Sequence, residues 1–226
     1  MLKVLEDLAA NYARVKPQDY VGSINVEIGE NLFTLVFERD DVSVREGRSD
    51  KVLVDLVMSE ETFGKLVDGT WNGMTAAGRE HARQPAPLDF RFPPGQSLGG
   101  KVLQMLYHLG MHFFHRSYPH VFRFGPAHAR TIHGGHAVPL AYGHGIRFAY
   151  YTISGSEQIN EAEDSADPFD QVIAVIGGAG AAVIGGVEVA LEKGVAVHVP
   201  PMTTHIIRAR GGGPLELFWV AYGTGA

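Results

Sequence analysis

Apolar residues recur along the first half of the chain with two different periods. Leu2, Leu5, Leu8, Ala9 and Tyr12 share one face at helical spacing, which predicts an amphipathic helix over 3–16. Residues 32–39 and 50–58 read instead as strands. In the second of these, Val52, Val54, Leu56 and Met58 lie on one side, with Leu53 and Val57 on the other. Such a strand is buried on both faces or turns one face to a ligand cavity. Ser59 follows as an N-cap, with Glu60 and Glu61 near the positive end of a helix whose apolar side is Phe63, Leu66 and Val67. Gly69 ends that helix, and Thr70 is placed to cap the next, which carries Trp71, Met74 and Ala77 inward before Gly78. Pro93 and Pro94 separate a short strand, LDFRF, from a further helix over 99–115.

The pattern changes after residue 116. Residues 116–144 read as loop, and a domain boundary near residue 118 divides the chain into 1–118 and 119–226. From Arg147 onward the apolar runs are short and bounded by glycine, proline or charge: RFAYYTIS, QVIAVIG, AAVIG, VEVALE, GVAVHVP, THIIRAR and LELFWVAYG. Six or seven short strands without a long helix predict a sandwich or small barrel.

Composition narrows the chemistry. The 226 residues are 45% hydrophobic and 19% charged, as an ordinary folded core requires, and the formal net charge of −6 with no basic stripe argues against a nucleic-acid partner. The chain has no cysteine, which excludes disulfides, a thiolate nucleophile and Cys-ligated zinc. Glu6 and Asp7 stand where a signal peptide needs its apolar region, so a cytoplasmic protein is expected. The longest apolar stretch, Val172 to Val187, is too short and too glycine-rich for a membrane span. Residues 177–186, GGAGAAVIGG, lack the long helix that a dinucleotide-binding loop requires and fit a tight connection between strands.

Two family resemblances follow. The segment LVMSEETFGKLVDGTWNGMTAAG, preceded by strands and followed by a closing helix, resembles a sterol-carrier (SCP2-like) α+β domain over residues 20–115. That resemblance implies an apolar or lipid-like ligand held between sheet and helices. GVAVHVPPMTTH, Gly194 to His205, resembles the second motif of the cupin barrel, with Gly194, Pro200 and His205 matched and Met202 where the family commonly has glycine. NEAEDSADPFDQVIAVIGG resembles the first cupin motif, with Gln171 in place of the usual glutamate and Glu161 and Glu163 at the histidine positions. Together they imply an all-β cupin-type double-stranded β-helix, a jelly-roll barrel, after the α+β domain. They also imply a homodimer.

By this resemblance Glu161, Glu163 and His205 are the metal ligands, and the cofactor is one divalent ion, Mn, Fe, Ni or Zn. The opposing reading is a barrel without metal, with Glu161 and Glu163 on a solvated loop. Gln171, His198, Tyr151 and Trp219 are the candidate ligand contacts, from the aromatic and polar residues of the barrel strands. Asp167 and Asp170 flank Pro168 as turn caps or ligands. Eight of the eleven histidines lie between His108 and His144. His133 and His136 bracket a glycine turn that caps a loop or lines a barrel mouth, and His108, His112 and His115 share a helical face. Three functions remain open: a small-molecule enzyme acting at the barrel lumen on an organic acid or aromatic compound, a non-catalytic binding or sensor protein for an apolar ligand, and a scaffold for oligomerisation.

Overall fold

The first helix, α1 (Leu2–Ala13), buries Leu5, Leu8, Ala9 and Tyr12 and leaves Leu2 half-buried. The computed structural model describes residues 1–80, 84–95, 99–160 and 166–226. The chain divides into two units, Met1–Ala77 with Pro85–Arg123 and Gly78–Gln84 with Phe124–Ala226.

The first unit is mixed α and β. Strands β1 (Gly22–Ile28), β2 (Asn31–Phe37), β3 (Val42–Glu46), β4 (Asp55–Met58) and β5 (Leu88–Arg91) form a sheet in the order β3-β2-β1-β4-β5. Its one parallel pair is β1 with β4. The apolar pattern does not announce β1, because a buried polar residue sits at its centre. Asn25 is 1% exposed and fully engaged: Nδ2 donates to Ser49 O and to Asp55 Oδ1, and Oδ1 accepts from Thr34 Oγ1 and the Ser49 N–H. Satisfied in this way, a buried amide costs little and fixes the register of the strands around it. The strand expected over 50–58 is confined to Asp55–Met58.

Helix α2 (Glu60–Val67) starts at the expected cap, Ser59 Oγ accepting from the Thr62 N–H at 3.1 Å. The short α3 (Gly73–Ala77) is capped by Asn72 and not by Thr70: Asn72 Oδ1 accepts from the Thr75 N–H at 2.8 Å. Helix α4 (Gly100–His112) packs closely on α3, since a Cβ added at Gly73 would lie 2.4 Å from Gly110 O. Side chains of α1 and α4, among them Tyr12, Met105 and Leu109, and Phe113 just after α4, join Ile24, Val26, Leu35 and Leu56 of the sheet in one buried cluster.

The second unit is almost entirely β. Its strands are β6 (Arg130–Ile132), β7 (Gly135–Gly143), β8 (Ile146–Ile153), β9 (Gln158–Ile159), β10 (Asp170–Gly177), β11 (Ala179–Ile184), β12 (Val187–Glu192), β13 (Ala196–Val199), β14 (His205–Ala209) and β15 (Leu215–Tyr222). One sheet runs β13-β10-β15-β8-β7-β6 and the other β12-β11-β14-β9, with antiparallel pairing throughout. The nine-residue β7 lies inside the stretch read as loop. Pro139 explains the misreading: a proline argues against a strand, and here the ladder shifts register between Pro139 and Ala141. Gly185 and Gly186, at φ +54° and +83°, make the two-residue turn between β11 and β12 that requires left-handed backbone at both positions.

The two sheets pack face to face. Ala149, Tyr151, Ile153, Ile173, Val175 and Leu217 of the larger sheet meet Ile159, Ala182, Leu191 and Ile207 of the smaller in one apolar cluster. Among the described residues no helix is long and apolar enough to cross a membrane.

Candidate functional site

Between these sheets the packing leaves a cavity of about 360 Å³. Strand alternation decides which side chains reach it. On β8, Tyr151 shares the inward face with Ala149 and Ile153, and Arg147 belongs to the same row. On β15 the inward residues are Leu217, Trp219 and Ala221, and on β10 they are Gln171, Ile173 and Val175. The smaller sheet contributes His205 and Ile207 from β14 and Ile159 from β9, with Asn160 just after it.

Two hydrogen-bonded groups face this space. In the first, the Trp219 indole Nε1–H donates to Gln171 Oε1 at 2.6 Å, and Gln171 Nε2 donates to Asp167 Oδ2 at 3.1 Å. Gln171 is 1% exposed, so its carboxamide is fixed at both ends. In the second, His205, 3% exposed, has Nδ1 at 3.3 Å from Thr203 O and Nε2 at 2.7 Å from Asn160 Nδ2. A carbonyl can only accept, so Nδ1 carries the proton and Nε2 presents its lone pair to the Asn160 amide. The loop before β14 is tied down as well: the Met202 N–H donates to Asp167 O at 2.7 Å. Met202 adopts φ +57°, the left-handed conformation that explains a glycine preference at this position.

Tyr151 packs edge-on against Trp219, with ring centroids 6.4 Å apart. Burial pushes its phenol pKa well above the ordinary tyrosine range, and Tyr142 and Asp167 add to that effect. It remains a neutral hydroxyl at any physiological pH.

Of the candidate site residues, the structure therefore brings Tyr151, Gln171, Trp219 and His205 to one cavity, with Asp167 and, at its rim, His133. His198 is not among them. It sits on the outer face of β13, exposed, with Nε2 2.7 Å from Asp170 Oδ1, while Val197 and Val199 turn to the core. His136 likewise points elsewhere, to Glu157 Oε1 at 3.1 Å. Glu161 and Glu163 lie outside the described residues. Arg147, Tyr142 and Asn160 line the cavity without having been singled out from sequence. Arg147 was legible in principle, since it stands four residues before Tyr151 on the same strand face.

The described donors do not by themselves fit a divalent ion. His205 Nε2 already accepts from an amide, the Gln171 oxygen already accepts from Trp219, and Asp167 Oδ2 already accepts from Gln171. Among the described residues no group of three histidine or carboxylate side chains is arranged to hold a metal. The Nδ1–H tautomer of His205 is nonetheless the one a metal-bound imidazole adopts when its other nitrogen donates to a carbonyl.

A family model described as "Cupin domain" matches residues 154–221. Solved structures similar to the chain include a cupin 2 conserved barrel domain protein from Salinispora arenicola, 12% identical over 48% of this chain and 92% of that one, with a TM-score of 0.42. An RmlC-like cupin from Shewanella frigidimarina is 18% identical over 42% of this chain and 80% of that one, with a TM-score of 0.36. No curated protein matches the chain. The matched family model begins in the second unit and does not extend into the first. The sheet-rich C-terminal region of this chain, built around the His205 cavity, is a cupin-type domain.

Proposed function

We propose that the cupin-type unit binds a small organic molecule in the cavity between its sheets. The observation that carries this reading is the convergence of two fixed polar groups, Trp219–Gln171–Asp167 and Asn160–His205, with the Tyr151 and Trp219 rings on one space of about 360 Å³. Ligand cavities are commonly of this size and combine apolar walls with a few placed polar groups. His205 is held in one tautomer there by the Nδ1–H···Thr203 bond, with Nε2 engaged by the Asn160 amide.

The chain has two tryptophans, so a Trp71→Phe variant leaves Trp219 as the sole indole reporter inside the cavity. Titrating that variant with benzoate, phenylacetate, hexanoate and their primary amides is expected to shift or quench Trp219 emission saturably for at least one compound. If none of the six does so at millimolar concentration, the binding reading falls.

A metal-dependent form of the same site, with Glu161 and Glu163 joining His205, is supported by the His205 tautomer. Its test is metal content of native protein beside a His205→Ala variant. Near one ion per chain, lost in the variant, supports it; no ion in either after reconstitution overturns it.

A second ligand reading concerns the first unit. There Leu66, Val67, Trp71, Met111, Phe114 and Phe122 line a separate cavity of about 370 Å³, and the sterol-carrier resemblance favours an apolar occupant. Organic extraction of native protein followed by mass spectrometry tests it. Sedimentation velocity tests the homodimer that the cupin resemblance implies.

A further inference from the structure

The geometry points to Arg147 as the anchor of a carboxylate, which makes the ligand of the cupin cavity an organic anion. This inference rests on the binding reading above and names the class of molecule that reading leaves open.

Arg147 is a cation on the inward face of a strand whose other inward residues are Ala149, Tyr151 and Ile153. Arg147 is half-buried with its Nε out of water, and a charge so placed gains from a partner. Among the described residues no carboxylate lies within ion-pair distance of it. Its Nη2 donates to Gly225 O at 3.1 Å, and its Nε is buried without a hydrogen-bond partner. The guanidinium is nevertheless held in place. Its Cζ lies 5.0 Å from the Phe169 ring centroid and 5.9 Å from that of Tyr142. A cation fixed over two rings with free N–H groups is a ready bidentate partner for a carboxylate.

The sheet register adds a place for the rest of the molecule. Arg147 on β8 pairs with Ala221 on β15, which pairs in turn with Gln171 on β10. The three lie in one row, and two inter-strand steps separate the Arg147 and Gln171 backbones by about 10 Å. Ala221, the residue between them, is buried against Phe169 and Ala226. Arg147, Gln171 and Trp219 line the same cavity, so a carboxylate on Arg147 has room for a body that extends into that cavity toward Trp219. Asp167 lies beyond Gln171 and repels an anion, so the carboxylate takes the Arg147 end of the row and not the Gln171 end.

The same six compounds decide the matter, each acid read against its own amide in the Trp71→Phe protein. The expected result is that at least one acid binds ten-fold or more tighter than its amide, and that the difference shrinks as salt is raised. Arg147→Met is expected to weaken acid binding more than amide binding and so to lose that ten-fold preference, and Arg147→Lys to keep a smaller preference for the acid. The acid–amide comparison needs no variant, so a misfolded Arg147→Met does not shelter the proposal. If acids and amides bind equally, or amides bind better, the anchor role is overturned while the binding reading stands. If nothing binds, both fall together.

Discussion

The two units carry cavities of nearly equal size, about 370 Å³ in the first and about 360 Å³ in the second, and both are bordered by histidine. They use it in opposite ways. In the first unit His108, His112, His115 and His120 pack against one another: His115 and His120 stack at 4.6 Å, and His112 Nδ1 lies 3.2 Å from His120 Nδ1. In the second His205 is oriented at both nitrogens by Thr203 and Asn160. The pile has more imidazoles but no convergence, whereas His205 aims a defined lone pair at one partner. Number of titratable groups is therefore a poor guide to a site, and hydrogen-bonded orientation is a better one.

The largest expected effect breaks this symmetry with acid. Burial, with the neighbouring His120 adding to it, pushes the pKa values of His112 and His115 down to about 4. Burial lowers that of His120 as well, and its Nε2 is buried without a partner. A histidine whose folded pKa is depressed binds fewer protons than its unfolded counterpart. Its contribution to stability is present above pH 6.5 and is lost as the pH falls through 6.5 toward 4. For His112 and His115, both partly open to solvent and so partly screened, that contribution is on the order of 1 kcal/mol each over that window. Hydrogen exchange between pH 7 and 4.5, corrected for intrinsic rates, should show peptides from 100–123 losing protection before peptides from 170–222. Simultaneous loss in both would remove the histidine pile as the acid-labile element.

A smaller effect is expected from Gln171→Leu. It strands the Trp219 indole N–H and removes the donor to Asp167 Oδ2, costing roughly 1–3 kcal/mol by chemical denaturation. Gln171→Glu sharpens the same point. It restores the residue common at this place in cupins but faces a second carboxylate, Asp167, without a donor between them. Stability is expected to drop at pH 7 and to recover in part on mild acidification, as one carboxylate takes a proton. Recovery with a stoichiometric divalent ion at pH 7 would favour the metal-dependent form of the site.

The strands that carry this cavity were legible because their apolar runs are short, alternating and bounded by glycine or charge. Residues 146–153, 170–177, 187–192 and 205–209 fall where the pattern puts them, within a residue or two. What escaped the pattern has physical causes. Strand β1 centres on Asn25, whose burial depends on partners 9 to 30 residues away. Strand β7 contains Pro139, tolerated only because the ladder is bulged there. The face of β13 could not be assigned from His198 alternating with valines, since either side of such a strand can be the inner one. Arg147 was passed over because charge at a strand start usually marks solvent. Its inward direction is set by Tyr151 further along the same strand.

Met202→Gly is the smallest effect and probes the loop that delivers His205. Met202 holds φ +57°, and a non-glycine residue in that region costs about 1 kcal/mol. Glycine removes that strain but brings about 0.5–1 kcal/mol of additional unfolded-state entropy. The side chain is 70% exposed, so little burial is lost, and the N–H that donates to Asp167 O is retained by glycine. The net change is expected to lie within about 0.5 kcal/mol of zero by thermal denaturation, with Trp219 emission unchanged. A loss above about 1 kcal/mol would mean that the methionine side chain holds the loop. His205 would then owe its orientation to that contact and not to the Thr203 and Asn160 bonds.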